Sequence, residues 1–479
     1  MSTAARPRLA ALSFQTTAWA SWAILGSDIV ALEIAFSLGL LLHHLLSPWF
    51  RSEIGPDQYL GVAAGILLLP VIHCYLGLYP GYLLGPVERL RRRTLATIGV
   101  FGGLVAWDNL VARGVLSRGI LLATFVFAVM LPPIAEAAVR KILARNGRWG
   151  APVIMLGCGG AGRAMARTLQ RDPDLGLQPV AFLDDRPETW NTVAEGVPVL
   201  GPLGLAQDFE RRAHAAIVLL TDLGAAGTAA LLHDLNFPRV IVVPDLGGMA
   251  SLWVSARNLG GSLGLEIKKN LLLRRNHALK SLMDRAIALP LFVLSLPLLA
   301  AAAVWIKLCS RGPALYRQMR EGLDGQRIRV WKLRTMYVDG DRLLEQWLAG
   351  HPEDELHWKR YFKLKRDPRV LPVIGRFLRR TSLDELPQLW SVLTKEMSLV
   401  GPRPLPDYHI EQFPPEFRGL RTRVLPGLTG LWQISARGDG DLEVQEALDT
   451  FYIRNWSPWL DLYILARTVT AVLLARGAY

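Results

Sequence analysis

Cysteine is scarce. Cys74, Cys158 and Cys309 are the only three in 479 residues. No two of them share a metal-ligand spacing, and three scattered thiols make no disulfide framework, which suits a reducing cytosolic side. Zinc-finger spacing and aromatic-basic RNA motifs are missing too, so the net charge of +13 is not a nucleic-acid footprint and no nucleic-acid partner is expected. The N-terminus lacks a short apolar core with a small-residue cleavage site, so no removable signal peptide is expected. What is abundant is apolar: 51% of residues are hydrophobic and the mean hydropathy is +0.25. A chain of this length holds about two to four units at ~150 residues each, and its apolar runs mark a membrane protein. A basic excess then marks cytosolic loops and anionic partners, such as lipid headgroups or nucleotide phosphates.

Residues 1–147 hold four apolar segments, Ala18–Leu46, Tyr59–Tyr79, Thr94–Val111 and Gly119–Val139. Each approaches or exceeds the ~20 residues that a helix needs to cross a ~30 Å hydrocarbon core. Arg6 and Arg8 precede the first, Arg89 and Arg91–Arg93 separate the second from the third, and Arg140, Lys141, Arg145 and Arg148 follow the fourth. The other two loops carry Arg51, and Arg113 with Arg118. The positive-inside rule therefore predicts a four-helix transmembrane bundle with both ends in the cytosol. Asp28 and Glu33 lie inside the first segment, either as functional acids or facing a helix partner or an interface.

Residues 148–272 read as a Rossmann-like α/β domain. "APVIMLGCGGAGRAMARTLQ" is an apolar strand, a glycine turn and an amphipathic helix, with Gly157, Gly159 and Gly162 fitting G-x-G-x-x-G. The next strand, "PVAFLDD", ends at Asp184 and Asp185, where such a unit places an acid for a ribose hydroxyl. Two readings stand. Gly157, Gly159, Gly162 and Asp184 bind a nucleotide, or the glycines serve a tight turn and close helix–strand packing. The domain's place in the chain suggests a regulatory or homodimer-forming role.

Residues 273–479 open on Ala286–Ile306, a charge-free run long enough to span. Pro290 and Pro297 interrupt it, and Lys280, Arg285, Lys307 and Arg311 flank both ends. It either spans as an ordinary helix or, if both flanks are cytosolic, enters the membrane and returns as a re-entrant helix at about 283–308. The C-terminal Trp456, Trp459 and Tyr463 read as interfacial, or as part of a plain core helix.

"RRTSLDELPQLW" sets Asp384 and Glu385 side by side after Arg379 and Arg380. Pro387 restricts any helix to a start only a few residues earlier, and Ser382 with Glu385 fits a capping box. The acids either cap that helix or do chemistry. Around them lie Lys332, Arg334, Arg369, Arg376 and Arg403, the last held between Pro402 and Pro404. Arginine forks match phosphate oxygens. An acid pair among such cations suits Mg²⁺, which takes one or two carboxylates and completes its shell with substrate phosphates and water. A carboxylate also attacks phosphorus as a nucleophile.

"KLRTM", "TSLDELPQL", "MSLVGPRPL" and "PGLTGLWQIS", in that order, resemble the bacterial sugar transferases, the monotopic phosphoglycosyl transferases. The whole chain is similar to the large members, most of all to those that move galactose-1-phosphate to undecaprenyl phosphate. The resemblance implies an α+β catalytic domain with a re-entrant helix. It implies transfer of a hexose-1-phosphate from a UDP-sugar to undecaprenyl phosphate, as the first membrane step of exopolysaccharide, capsule or O-antigen synthesis. Asp384 would be the nucleophile. Asp384 and Glu385 would organise Mg²⁺, and Arg379, Arg403, Lys332 and Arg334 would hold phosphates or fix the pair. Pro426, Gly427, Thr429, Gly430, Gln433 and Arg437 fall in the segment that would hold uridine. The setting would be the bacterial inner membrane, multi-pass, with the middle and catalytic domains cytosolic. The family's Ser-Pro break is Leu296-Pro297 here, with Ser295 one place early, and Ala436 replaces a glycine beside Arg437.

Two other readings compete. A membrane-bound nucleotide-sugar dehydratase or epimerase needs Tyr-x-x-x-Lys, which Tyr361 and Lys365 match at a site remote from the glycines. A non-catalytic nucleotide-sensing membrane protein would use the acids only as a cap. No motif reads the sugar.

Overall fold

The computed structural model describes residues 14–46, 56–110, 117–210, 213–223, 239–244, 254–259, 262–267, 274–361, 367–435 and 442–473, with the isolated residues 235, 237, 271 and 364. The chain divides into two compact units, Met1–Met249 and Ala250–Tyr479.

The first unit opens with helices α1 (Phe14–Leu46), α2 (Pro56–Tyr75), α3 (Pro86–Leu110) and α4 (Arg118–Arg145). α1 packs along α4, α2 on α3 and α3 on α4. Ala18–Leu46 and Arg118–Arg145 are long and apolar enough to cross a membrane, whereas α2 contributes only the shorter apolar stretch Gly65–Tyr75. α3 starts in its arginine-rich turns, so the helix runs well outside the apolar Thr94–Val111 segment.

Charge is buried between these helices. Asp28 on α1 accepts from the Tyr79 hydroxyl at 2.6 Å and from Arg93 Nη1 at 2.5 Å. Arg93 Nε lies 2.5 Å from Glu136 Oε2, and Arg140 pairs with the same carboxylate. Asp28 therefore faces helix partners. Glu33 is exposed.

Beyond α4, a six-stranded sheet forms from β1 (Ala151–Leu156), β2 (Leu177–Leu183), β3 (Val193–Ala194), β4 (Val197–Gly201), β5 (Ala215–Leu219) and β6 (Val240–Val243). The order is β3-β4-β2-β1-β5-β6, parallel throughout except for the β3–β4 pair. β1 is buried at every position, as a two-sided parallel strand requires. Helix α5 (Gly160–Arg171) follows β1 directly. Sequence alone set the bundle and this domain apart at 147/148, but they share one core. Ala20 and Ile24 of α1 cluster with Trp149, Val153, Met155 and Phe182, and Arg140 lies 4.7 Å over the Trp149 ring.

The second unit begins with the hairpin β7 (Val254–Leu259)–β8 (Ser262–Ile267). Helix α6 (Arg274–Cys309) follows, and its helical assignment is unbroken through Pro290 and Pro297. Ser295 Oγ donates to the Phe292 carbonyl at 2.7 Å, next to Val293, the carbonyl that loses a partner at Pro297. Leu289, Val293, Leu294, Leu298 and Leu308 expose apolar side chains.

Both ends of α6 pack on the rest of the second unit. Near the start, Lys280 Nζ meets Asp284 at 3.0 Å and Asp461 at 2.6 Å, and Asp284 accepts from Ser398 Oγ at 2.7 Å. Near the end, Ile306 joins Leu333, Leu371, Ile374 and Leu378 in a buried cluster. Trp456 is buried, with its indole donating to Asp461 at 3.0 Å, so this residue belongs to the core and not to an interface.

Candidate active site

Two antiparallel strands, β9 (Leu315–Glu321) and β10 (Arg327–Leu333), pair Tyr316 with Lys332 and Arg320 with Ile328. Helices Gly340–Gly350 (α7) and Pro352–Tyr361 (α8) come next, then α9 (Ile374–Thr381). α9 stops because Ser382 turns left-handed at φ +57°. Leu383–Glu385 form one 3₁₀ turn, Pro387 continues in helical conformation at φ −58°, and α10 (Gln388–Leu393) begins. The acids thus sit in a turn between two helices, and Pro387 stands at the next helix start as its missing N–H dictates. The capping box does not form. Ser382 makes no cap hydrogen bond, and Glu385 is engaged elsewhere.

Glu385 Oε1 accepts from Lys332 Nζ at 2.7 Å and from Arg403 Nη2 at 2.9 Å. Burial alone would raise the Glu385 pKa, but these two cations outweigh it and hold the group well below the carboxylate range. Asp384 is buried and accepts no hydrogen bond from the described residues. Burial first, and then the neighbouring Glu385 charge, push its pKa up to about 6. Arg379 donates Nε to Thr335 Oγ1 at 3.0 Å, with Asp384 as its foremost anion. Three cations (Lys332, Arg379, Arg403) thus face two carboxylates, a net +1 suited to an incoming phosphate.

Arg403 is fixed from behind. β11 (Ser398–Val400) pairs in parallel with β12 (Gly427–Thr429). Gly401 N–H donates to Thr429 O at 2.9 Å, and Gly427 N–H to Pro402 O at 2.8 Å. A Cβ on Gly401, Gly427 or Gly430 would collide with backbone across this crossing, so the motifs "VGPRP" and "PGLTG" lock into one piece. Arg421 grips the Arg403 carbonyl at 2.5 Å and Asp449 Oδ2 at 2.9 Å.

The other expected residues fall as follows. Arg334 is buried and donates to the carbonyls of Arg311 at 2.7 Å and Ser310 at 2.8 Å, just past α6. It caps that helix, with both of its terminal nitrogens on these carbonyls. Arg369 is held by Asp367 at 2.6–3.1 Å and lies over Trp358, while Arg376 is exposed. Pro426, Gly427, Thr429, Gly430 and Gln433 are buried, and Thr429 Oγ1 meets Thr468 Oγ1 at 2.7 Å. This segment backs the loop that carries Arg403. Arg437 lies outside the described residues, as does Lys365 of the Tyr361–Lys365 pair.

The glycine turn of the first unit is occupied from within the chain. Gly159 N–H and Gly162 N–H, at the start of α5, both donate to Asp222 Oδ2 at 2.9 Å. Asp222 directly follows β5, so it fills the crevice between β1 and β5 where the sheet order reverses and a phosphate would bind. Asp184 accepts the Cys158 N–H at 2.7 Å and is forked by Arg186 at 2.8 Å, which holds its pKa at about 2. Asp185 accepts the Leu203 N–H. Both acids are thus engaged within the domain, and a Cβ on Gly159 or Gly162 would meet Asp222 or the Gly157 carbonyl.

Residues 275–475 match the family described as Bacterial sugar transferase. The UDP-galactose-lipid carrier transferase of Erwinia amylovora is 32% identical over 395 residues, covering 81% of this chain and 82% of that protein. The chain belongs to the bacterial sugar transferase family. Among other members, the undecaprenyl-phosphate galactose phosphotransferase of Salmonella typhimurium is 32% identical over 81% of each chain. The UDP-glucose:undecaprenyl-phosphate glucose-1-phosphate transferase of Escherichia coli is 33% identical over 67% of each. Residues 75–221 match a family described as CoA-binding domain, which runs from the end of the α2 turn through α3 and α4 to β5 and so straddles the expected 147/148 boundary.

Proposed function

We propose that this sugar transferase moves a hexose-1-phosphate, galactose-1-phosphate or glucose-1-phosphate, from a UDP-sugar to undecaprenyl phosphate at the start of polysaccharide synthesis. One observation carries the mechanism: Lys332 and Arg403 clamp a single oxygen of Glu385, beside an Asp384 that the described residues leave without a hydrogen bond. Asp384 attacks the sugar-bearing phosphorus, the bond to the UMP phosphate breaks, and UMP leaves. The sugar phosphate stays on the carboxylate as an acyl phosphate. A phosphate oxygen of undecaprenyl phosphate then attacks the same phosphorus, the carboxylate departs, and undecaprenyl diphosphate-sugar forms. Charge is managed by fixed cations, as phosphoryl transfer requires.

The donor set suits Mg²⁺. Glu385 Oε1 takes both cations, which leaves Oε2 and the Asp384 carboxylate. Among the described residues no larger cluster of His, Cys, Asp or Glu competes. Substrate phosphates and water would complete the shell. When bound, the ion would offset phosphate charge.

The membrane reading is a four-helix bundle plus a re-entrant α6, with the other domains cytosolic. The re-entrant form is supported by α6 meeting one catalytic body at both ends, through Lys280–Asp461 and through Ile306 and Arg334. The 34 residues Asn276–Cys309 would run roughly 50 Å if straight, against a ~30 Å hydrocarbon core. A regulatory or dimer-forming role for the middle domain fits its closed glycine turn.

The test is UMP release by purified protein given UDP-galactose or UDP-glucose, Mg²⁺ and undecaprenyl phosphate. Release that depends on lipid and metal supports the reading. No release across a wider panel of UDP-sugars would refute it.

A further inference from the structure

The β9–β10 hairpin carries an arginine that the mechanism above does not use. Opposed residues of an antiparallel pair share a face and alternate along each strand. Tyr316, Gln318 and Arg320 therefore stand on the same face as Ile328, Val330 and Lys332, the face whose Lys332 meets Glu385. Ile328 and Val330 are buried, so this face is turned inward. Arg320 Nη2 donates to Gln318 Oε1 at 2.5 Å, and Nη1 is buried without a hydrogen-bond partner. No carboxylate among the described residues forms an ion pair with Arg320. Asp407, a carboxylate among its electrostatic neighbours, pairs with Arg327 at 2.8 Å. The neighbours Arg320 senses are Tyr408, Arg403, Tyr316 and Asp407.

A half-buried guanidinium next to a second arginine, with no paired anion and a free N–H, is costly in an apoprotein. Lys332 and Arg403 share the Glu385 carboxylate, whereas Arg320 has no carboxylate paired with it among the described residues. Resting on the proposed transfer, we infer that Arg320 is a substrate-binding residue. It takes the phosphate of the nucleotide leaving group, so that UMP departs against the Arg320–Arg403 pair while Asp384 receives the sugar phosphate. The transfer separates two phosphates, and the inner one needs Lys332, Arg379 and the acid pair. The outer one gains a second negative charge as the bond breaks, and Arg320 is a cation of the same hairpin face that no carboxylate among the described residues pairs. The same residue would then have no part with undecaprenyl phosphate, which arrives after UMP has gone.

Steady-state and half-reaction kinetics of full-length Arg320→Ala and Arg320→Lys, in detergent or nanodiscs, test this. Arg320→Ala should raise KM for the UDP-sugar and Ki for UMP product inhibition by at least tenfold. KM for undecaprenyl phosphate should stay within twofold, and Arg320→Lys should recover part of the loss. A change confined to undecaprenyl phosphate, or a fall in kcat with KM and the UMP Ki unmoved, would overturn the assignment. If Arg320→Ala does not fold, Gln318→Leu, which frees the Arg320 fork, should shift the UMP Ki while leaving the lipid KM alone, and an unmoved Ki overturns the assignment. Wild-type protein run in parallel separates this from a failure of the transfer reading, because that failure would remove UMP release from the wild type itself.

Discussion

Removing the Asp222 carboxylate should loosen the first unit and open its glycine turn to anions. In Asp222→Ala the N–H groups of Gly159 and Gly162 lose the oxygen they share at 2.9 Å, and the start of α5 loses the carboxylate that sits on it. A hydrogen bond to a charged group contributes about 1.5–3 kcal/mol, and a charge at a helix terminus ~0.3–1 kcal/mol. Asp222 is half-buried and both bonds converge on one oxygen, so the lower part of these ranges applies, about 2–3 kcal/mol in all. For a unit of this size that is roughly 4–12 °C in apparent Tm. Differential scanning fluorimetry of the purified protein reads it directly. Millimolar pyrophosphate should restore part of the loss in Asp222→Ala and leave the wild type unmoved, because only the variant has free N–H groups. A variant melting within 1 °C of wild type, or a wild type stabilised as much as the variant, would refute the closed-turn account.

The remaining predictions concern the catalytic unit. Asp384 needs to be ionised to attack, so with its pKa at about 6 the rate of UMP release should climb about tenfold per pH unit below 6 and level off above. The stability sign is opposite. A carboxyl raised from 3.8 to about 6 stabilises the fold below pH 4 and loses that stabilisation as pH rises through 6. The loss is ~3 kcal/mol, so Asp384→Asn should be inactive yet melt no lower than wild type at pH 7.5. Lys332→Ala and Arg403→Ala each delete a charge-assisted bond to Glu385, and each should lower kcat/KM by about 10–150-fold. Arg334→Ala frees two carbonyls behind α6. The cost should be ~3 kcal/mol, a fall in Tm of roughly 6–12 °C, and an unchanged Tm would show that the cap is dispensable.

Much of this was legible in the chain. The alternation of strand and glycine turn at 151–162 specified the parallel sheet, and apolar runs located α1, α4 and α6. Asp384, Glu385, Lys332, Arg379 and Arg403 converge as their motifs implied. What was hidden depended on partners distant in sequence. Asp222 lies 63 residues from Gly159, and nothing local marks it as the occupant of an anion site. S-x-x-E at Ser382–Glu385 reads as a capping box, but two cations from β10 and the β11 loop claim the glutamate first. Arg334 sits in a phosphate-like motif, and nothing local shows that it closes a helix end. Arg320 was within reach, because Asp324 and Gly325 both take positive φ and an Asp-Gly turn sets hairpin register. That register places Arg320 on the Lys332 face. Hidden as well was that α1 buries Ala20 and Ile24 in the same core as the sheet, a contact that hydropathy attributes to lipid.

The central claim is a phosphosugar carried on Asp384. Protein incubated with hexose-labelled UDP-galactose or UDP-glucose and Mg²⁺, without acceptor, should release UMP and retain one label per active chain. Peptide mass spectrometry should place that label on Asp384, undecaprenyl phosphate should discharge it, and Asp384→Asn should never acquire it. Transfer that proceeds with no label on the chain, or a label that survives Asp384→Asn, would contradict the account.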